Sequence, residues 1–460
     1  MASAHERRRR GLHDEDHMKT LAISVTAALS FAAVHAGDWP HWLGPDRDGT
    51  WNETGIVESF ADGGPKVLWR VPVGYGYSSP SVVDGKVYLS DYLIKSGRVV
   101  NNPGSRHRLT GQERVRCFDA ATGRELWSHA YDQPYSISYP GGPRSMPTVS
   151  DGKVYSLGAE GAFVCLDAKT GDVIWKQDWK SKYQIKSPLW GFSAHPLIHG
   201  DTLYALVGGK GSVAVAFDKN TGKEKWRALT AAEPGYCPPT IIHHAGVDQL
   251  IIWHPESLNS LNPADGSVYW SLPLKPSYGM SIMAPQKEGN KLFVSAKGRV
   301  GALMQLDNDK PGAEFVWKAK PKEALCASNV TPLIVDGVIY GCDIDTSNLT
   351  AASLKTAKRL WTTTLPTLGT ESPKRRARYG TAFLTRHKAT GHFFLFAETG
   401  HLILADLSPE GYTEISRAKL LEPTNEVFGR PVVWAAAAFS MKSAFLRNDK
   451  ELIRVNLAAQ

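Results

Sequence analysis

Along most of the chain, apolar and polar positions alternate in short runs such as Lys153-Val154-Tyr155-Ser156-Leu157, and almost no stretch follows the period of an amphipathic helix. Runs of period two bounded by turn residues predict short β-strands. They recur in one phrase: a Pro-led apolar run, an Asp-Gly turn, a second run containing Tyr, then apolar-x-apolar-Asp-x-x-Thr-Gly and a closing Trp. The clearest copies start at Pro80 and Pro147 and close at Trp127 and Trp175. Eroded copies start at Pro196, Pro239, Pro285 and Pro332 and close at Trp226, Trp270, Trp317 and Trp361. Two more, Thr381 to Ile415 and Pro431 to Leu457, lack the Trp.

Intervals of 48, 51, 44, 47 and 44 residues between closing tryptophans suit four short strands per unit. Repeats of this length whose sheet edges must be protected predict a ring of blades. The eighth unit ends without its last strand, and Val67-Leu68-Trp69 stands at the other end with no repeat before it. The expected fold is therefore all-β: an eight-bladed propeller of four-stranded antiparallel blades, closed by the N-terminal strand. In the turn, Asp119, Asp167 and Asp218 are placed to bond nearby N–H groups, and Gly123, Gly171 and Gly222 to supply positive φ. Each Trp offers the adjacent blade an apolar ring and one N–H. Eight such contacts are expected around the ring.

In 460 residues, 14 Trp and 42 Gly recur without a break in composition, which favours one repetitive body over several domains. The one long uncharged apolar run, Leu21 to Val34, ends in Val34-His35-Ala36, a small-x-small pattern. It reads as a signal peptide cleaved after Ala36, too short for a membrane span of about 20 residues. Acidic residues 14–16 separate Arg7–Arg10 from that run, so Met18 is the expected start. The expected division is 1–36 extension and signal peptide, 37–66 a segment packing on the propeller, and 67–460 the propeller, in a periplasmic or secreted monomer. No Cys sits at the cleavage point to carry a lipid. The net charge of +8 forms neither a basic stripe nor an aromatic-basic groove, so no nucleic-acid partner is expected. Five cysteines cannot all pair, and an Asp336-Gly337 turn puts Thr331, not Cys326, opposite Cys342. Mostly free, buried thiols follow.

The recurring Asp-x-x-Thr-Gly-x-x-x-Trp phrase resembles the pyrroloquinoline-quinone (PQQ) repeat family, over roughly Val67 to Leu457. That family includes quinoprotein dehydrogenases and the propeller subunit of the outer-membrane protein assembly machinery. The stretch Trp39-Pro40-His41-Trp42-Leu43-Gly44-Pro45-Asp46-Arg47-Asp48-Gly49 resembles the opening of secreted bacterial PQQ-binding-like propellers. Their name reflects repeat similarity and does not imply a bound quinone. Likeness to the dehydrogenases implies PQQ held with calcium, an aspartate base and a Trp floor, with a disulfide between adjacent cysteines in the alcohol-oxidising members. Here no two cysteines are adjacent and no Cys-x-x-Cys-His haem site occurs, which disfavours that branch and leaves smaller quinoproteins open.

In a propeller the segments leading into the inner strands crowd one mouth of the channel, where binding residues gather. The expected ligand-binding set there is Tyr77, Ser78, Arg144, Trp190, His195, Tyr236, Tyr278, Met280, Asn329, Arg378, Tyr379 and Arg430. Arg, His, Tyr and Trp converging on one mouth suit a small anionic or planar ligand; side chains that merely fill the channel would look the same. Glu160, Glu256, Asp345, Glu398 and Asp449 recur between second and third strands and are weak candidates for Ca²⁺ ligands, against the duller reading as turn formers. Basic residues also collect in the insertion 91–116 and in the loop 370–379, which holds Lys374, Arg375, Arg376 and Arg378. No Ser-His-Asp, phosphate-loop or paired-carboxylate signature stands out. Three functions stay open: a non-catalytic scaffold binding a small molecule, glycan or envelope protein; a PQQ-dependent oxidoreductase with Arg378 or Arg430 polarising the quinone and His195 as base; and an envelope protein-assembly factor.

Overall fold

The computed structural model describes residues 37–327, 329–371 and 377–459. The expected signal peptide, its Met18 start, its cleavage after Ala36, and Lys374, Arg375 and Arg376 lie outside the described residues.

Each phrase folds into one antiparallel sheet whose four strands follow chain order from the channel outward. Blades 1 to 7 span 81–132, 148–178, 197–228, 240–273, 286–318, 333–363 and 382–419. Blade 8 takes three strands from 438–456 and its outermost from Val67–Pro72, which pairs antiparallel with Glu451–Asn456. Two-residue turns set the register. At Asp151-Gly152, with φ of 48° and 70°, Ser150 pairs with Lys153. At Asp336-Gly337, Leu333 pairs with Tyr340. All five cysteines are buried and free.

The third turn of each blade is also the latch between blades. In blade 2 the Asp167 carboxylate accepts the N–H groups of Lys169 and Thr170 at 2.8 and 2.9 Å, which closes the turn. Gly171, at φ +78°, lies against the ring of Trp127 from blade 1, and a Cβ there would stand 2.7 Å from ring atoms. The same indole donates to the Ala168 carbonyl at 3.2 Å. Trp69, Trp175, Trp226, Trp317 and Trp361 repeat the bond to the next blade at 2.7–3.0 Å. Among the described residues the ring thus has six such bonds rather than the expected eight. Trp270 instead donates within its own blade to Gln249, because the facing turn of blade 5 is lengthened around Asp307 and Gly312. Blade 7 carries Ile415 at the Trp position of its outermost strand; nearer the channel, Trp51 packs between Phe394 of blade 7 and Phe439 of blade 8, centroids 5.4 and 5.0 Å apart.

Trp51 belongs to the segment that stops the channel from one side. Trp39 exchanges two backbone hydrogen bonds with Val82 of blade 1, and the Pro40 carbonyl accepts from Val149 of blade 2. Arg47 donates to the Pro196 carbonyl ahead of blade 3, and Thr50–Trp51 pairs parallel with the inner strand of blade 7. Gly49, at φ +76°, passes so close to Leu333 of blade 6 that a Cβ would meet that side chain at 2.6 Å. The unrepeated stretch between Trp39 and Trp51 is thus a plug built on the inner strands. No helix among the described residues is long and apolar enough to cross a membrane.

Candidate ligand site at the channel mouth

Above the plug lies a cavity of about 220 Å³, lined from the segments leading into all eight inner strands. The lining follows the period of extended chain. Tyr77 and Ser79, Tyr236 and Pro238, Met280 and Ile282, Asn329 and Thr331, and Trp434 and Ala436 face inward as i, i+2 pairs. Of the expected residues, Tyr77, Arg144, Trp190, His195, Tyr236, Met280, Asn329 and Tyr379 line it.

Four do not. Ser78, between two inward-facing neighbours, turns away and is buried, its hydroxyl on the Ser79 carbonyl at 3.3 Å. Tyr278 sits in a tight turn at φ 58° and is 77% exposed. Arg378, next to inward-facing Tyr379, lines a separate cleft. Arg430 lies in the extra hairpin Asn425–Val427 and Arg430–Val432, where its guanidinium grips Glu398 at 2.6 and 3.2 Å. Pro431, the expected lead of the eighth repeat, belongs to that hairpin; the true inner strand is Ala438–Ser440, so Trp434 holds the place expected for Arg430. Trp42, Tyr139 and Phe428 also line the cavity unforeseen. The unrepeated Trp39–Gly49 motif was the available signal for Trp42.

The floor is Trp42 stacked on His195, centroids 4.3 Å apart and planes 8° from parallel. His195 Nδ1 accepts the Met146 N–H at 2.9 Å, which leaves the ring proton on Nε2. Burial, with Arg47 adding, holds its pKa down to about 3. His195 is therefore a neutral hydrogen-bond donor, unsuited to the role of base. Arg144 donates to the carbonyls of Ser138, Tyr139 and Gly142 and lies over the Tyr77 ring at 5.1 Å, so much of its hydrogen-bonding capacity braces its own loop. The Tyr236 hydroxyl is buried beside Trp190 without a partner in hydrogen-bonding geometry. At the rim Phe428, 49% exposed, stacks on Tyr379 at 5.2 Å. Asn101 of the first-blade insertion donates to Asn425 and Glu426, and Asn425 donates to Tyr77 at 3.0 Å, so two insertions meet over the opening.

The recurring carboxylates work as staples. Glu160, Glu256, Glu398 and Asp449 accept backbone N–H groups of Ser136, Ala232, Thr381 and Gly76, tying down the chain that leads into inner strands. Glu160 also takes Lys180 and Ser187, Asp345 takes Lys297, and Glu398 takes Arg430 and Trp434. Among the described residues no three His, Cys, Asp or Glu gather as a metal cluster.

The family model described as outer membrane protein assembly factor BamB matches residues 111–246 and 254–454. This chain belongs to the PQQ-like repeat β-propeller family. Among solved structures, BamB from Moraxella catarrhalis is 13% identical with a TM-score of 0.54, over 85% of this chain and 99% of that one. Quinohemoprotein alcohol dehydrogenase from Comamonas testosteroni is 12% identical with a TM-score of 0.57, over 92% and 81%. At these identities the likeness establishes the fold. A comparison with curated proteins finds no match. The PQQ and calcium that part of the family suggests do not fit the cavity. Among the described residues no carboxylate lines it to supply the oxygen ligands Ca²⁺ requires, and Arg144 is the one formal cation there against a quinone bearing three carboxylates.

Proposed function

We propose that this chain is an exported, periplasmic or secreted, non-catalytic binding propeller that captures a small molecule or glycan unit by a flat face at the channel mouth. The observation that carries this is the cavity itself. Aromatic rings from the plug and from the segments leading into six blades surround it, with unspent donors on Tyr236 and His195 and, among the described residues, no carboxylate. Aromatic walls with a few placed polar groups suit stacking against a ring while hydrogen bonds fix its orientation. The oxidoreductase alternative needs Arg378, Arg430 and His195 on one flat pocket. His195 lines the mouth, Arg378 the separate cleft, and Arg430 neither.

The test is calorimetric titration of the protein from Gly37 onward with a panel of aryl glycosides, oligosaccharides and planar heterocycles, and with PQQ with and without Ca²⁺. Saturable binding of a panel member that Trp190→Ala abolishes, with no Ca²⁺-dependent PQQ binding, is the expected result. Tight Ca²⁺-dependent PQQ binding with dye reduction would overturn the proposal. A protein-partner reading has separate support in the matched family's description and in the exposed ring of Phe428 at the rim of the mouth. Crosslinking in envelope extracts that Phe428→Ser abolishes would favour it.

A further inference from the structure

Between blades 5 and 6 a cleft of about 430 Å³ collects Lys297, Arg299, Lys320, Lys322, Arg359 and Arg378 against three carboxylates. Two of the six charges are spent. Lys297 pairs with Asp345 at 2.6 Å, and Arg359 pairs with Asp343 while donating to the Ala324 carbonyl. The third carboxylate, Glu323, accepts the backbone N–H of Lys320. Arg299, Lys320, Lys322 and Arg378 have exposed side chains, and among the described residues none has an acidic partner. Tight turns bring them in. Gly298 and Arg299 take φ of 95° and 62° at the hairpin tip of blade 5, and Lys322 takes φ 68° in the connection to blade 6. Non-glycine residues at positive φ cost free energy and cluster at ligand clamps. Six cations against three carboxylates leave the cleft with a net charge of +3, and a multivalent anion offsets that charge while gaining charge-assisted hydrogen bonds.

We propose that this cleft is a second binding site, for a phosphate-type multivalent oxyanion carried on a small ligand. It is separate from the mouth cavity but adjoins it, since Lys297 Nζ lies 5.4 Å from the centroid of the Tyr379 ring that lines the mouth. The proposal does not depend on the reading of the mouth.

The experiment is titration of the protein from Gly37 onward with pyrophosphate, followed by calorimetry and by amide chemical shifts. Wild type is expected to bind saturably, more weakly as salt rises. Arg299→Ala with Lys322→Ala, both surface changes, is expected to weaken binding by about tenfold or more. Trp190→Ala, in the mouth, is expected to leave it unchanged. No saturation by ~10 mM pyrophosphate, or a double variant within about twofold of wild type, would overturn the proposal.

Discussion

Replacing Gly171 by Ala tests whether the repeat glycine exists for its backbone or for the tryptophan of the neighbouring blade. At φ +78° an alanine pays about 1–2 kcal/mol for the left-handed region alone. Its Cβ would also stand 2.7 Å from the Trp127 ring, so the ring must move and strain its 3.2 Å bond to the Ala168 carbonyl. That bond is worth about 1 kcal/mol, and disturbed packing adds a similar amount. The sum is about 3 kcal/mol. Gly152 supplies the control: it sits at φ +70° with nothing within 4 Å of the added Cβ, so Gly152→Ala carries the backbone cost alone. Urea unfolding followed by far-UV circular dichroism should place Gly171→Ala well below Gly152→Ala. In a Trp127→Ala background the Gly171 penalty should shrink to the Gly152 value, a coupling of about 1–2 kcal/mol. Equal costs for the two glycine variants, or no coupling, would refute the latch.

His195 is held neutral with a pKa of about 3 against an ordinary 6.5, so the unfolded chain takes up its proton first on acidification. Its contribution to stability is whole above about pH 6.5 and is lost as pH falls toward 3, at up to about 1.4 kcal/mol per unit; His195→Gln should flatten that slope in acid titrations of stability. Trp42→Ala removes the ring stacked on His195 and opens the cavity floor, and is expected to cost about 3 kcal/mol in urea unfolding. All five thiols are buried and burial raises their pKa values, so a disulfide thiol reagent should titrate five cysteines in denaturant and almost none in the native protein at neutral pH.

The fold was legible because each blade repeats chemistry that acts locally. Asp-Gly fixes a two-residue turn, Asp-x-x-Thr-Gly closes the next, and the Trp after it has one place to go. Erosion was also informative: the latch is missing where the turn facing Trp270 departs from the phrase and where Ile415 replaces the Trp. The site was less legible because facing is decided by single residues. Tyr77 and Ser79 point in while Ser78 points out, and Tyr379 points in while Arg378 does not, which a register known only to the nearest residue cannot resolve. Arg430 was misplaced for another reason: an inserted hairpin supplied a Pro that imitates the start of a blade, while the real inner strand has none. Trp42 escaped because it acts from a segment outside the repeat.

The pairing of Val67–Pro72 with Glu451–Asn456 makes closure a report on completeness. The strand made ahead of all the repeats waits for one made after seven blades, and Val57 bonds Leu457 across the same seam. A chain cut short anywhere before residue 451 leaves Val67–Pro72 unpaired and Trp69 without the sheet that carries it to Ala120. Such a chain presents open edges at both flanks, each a row of unpaired backbone groups on which a strand of another copy can add.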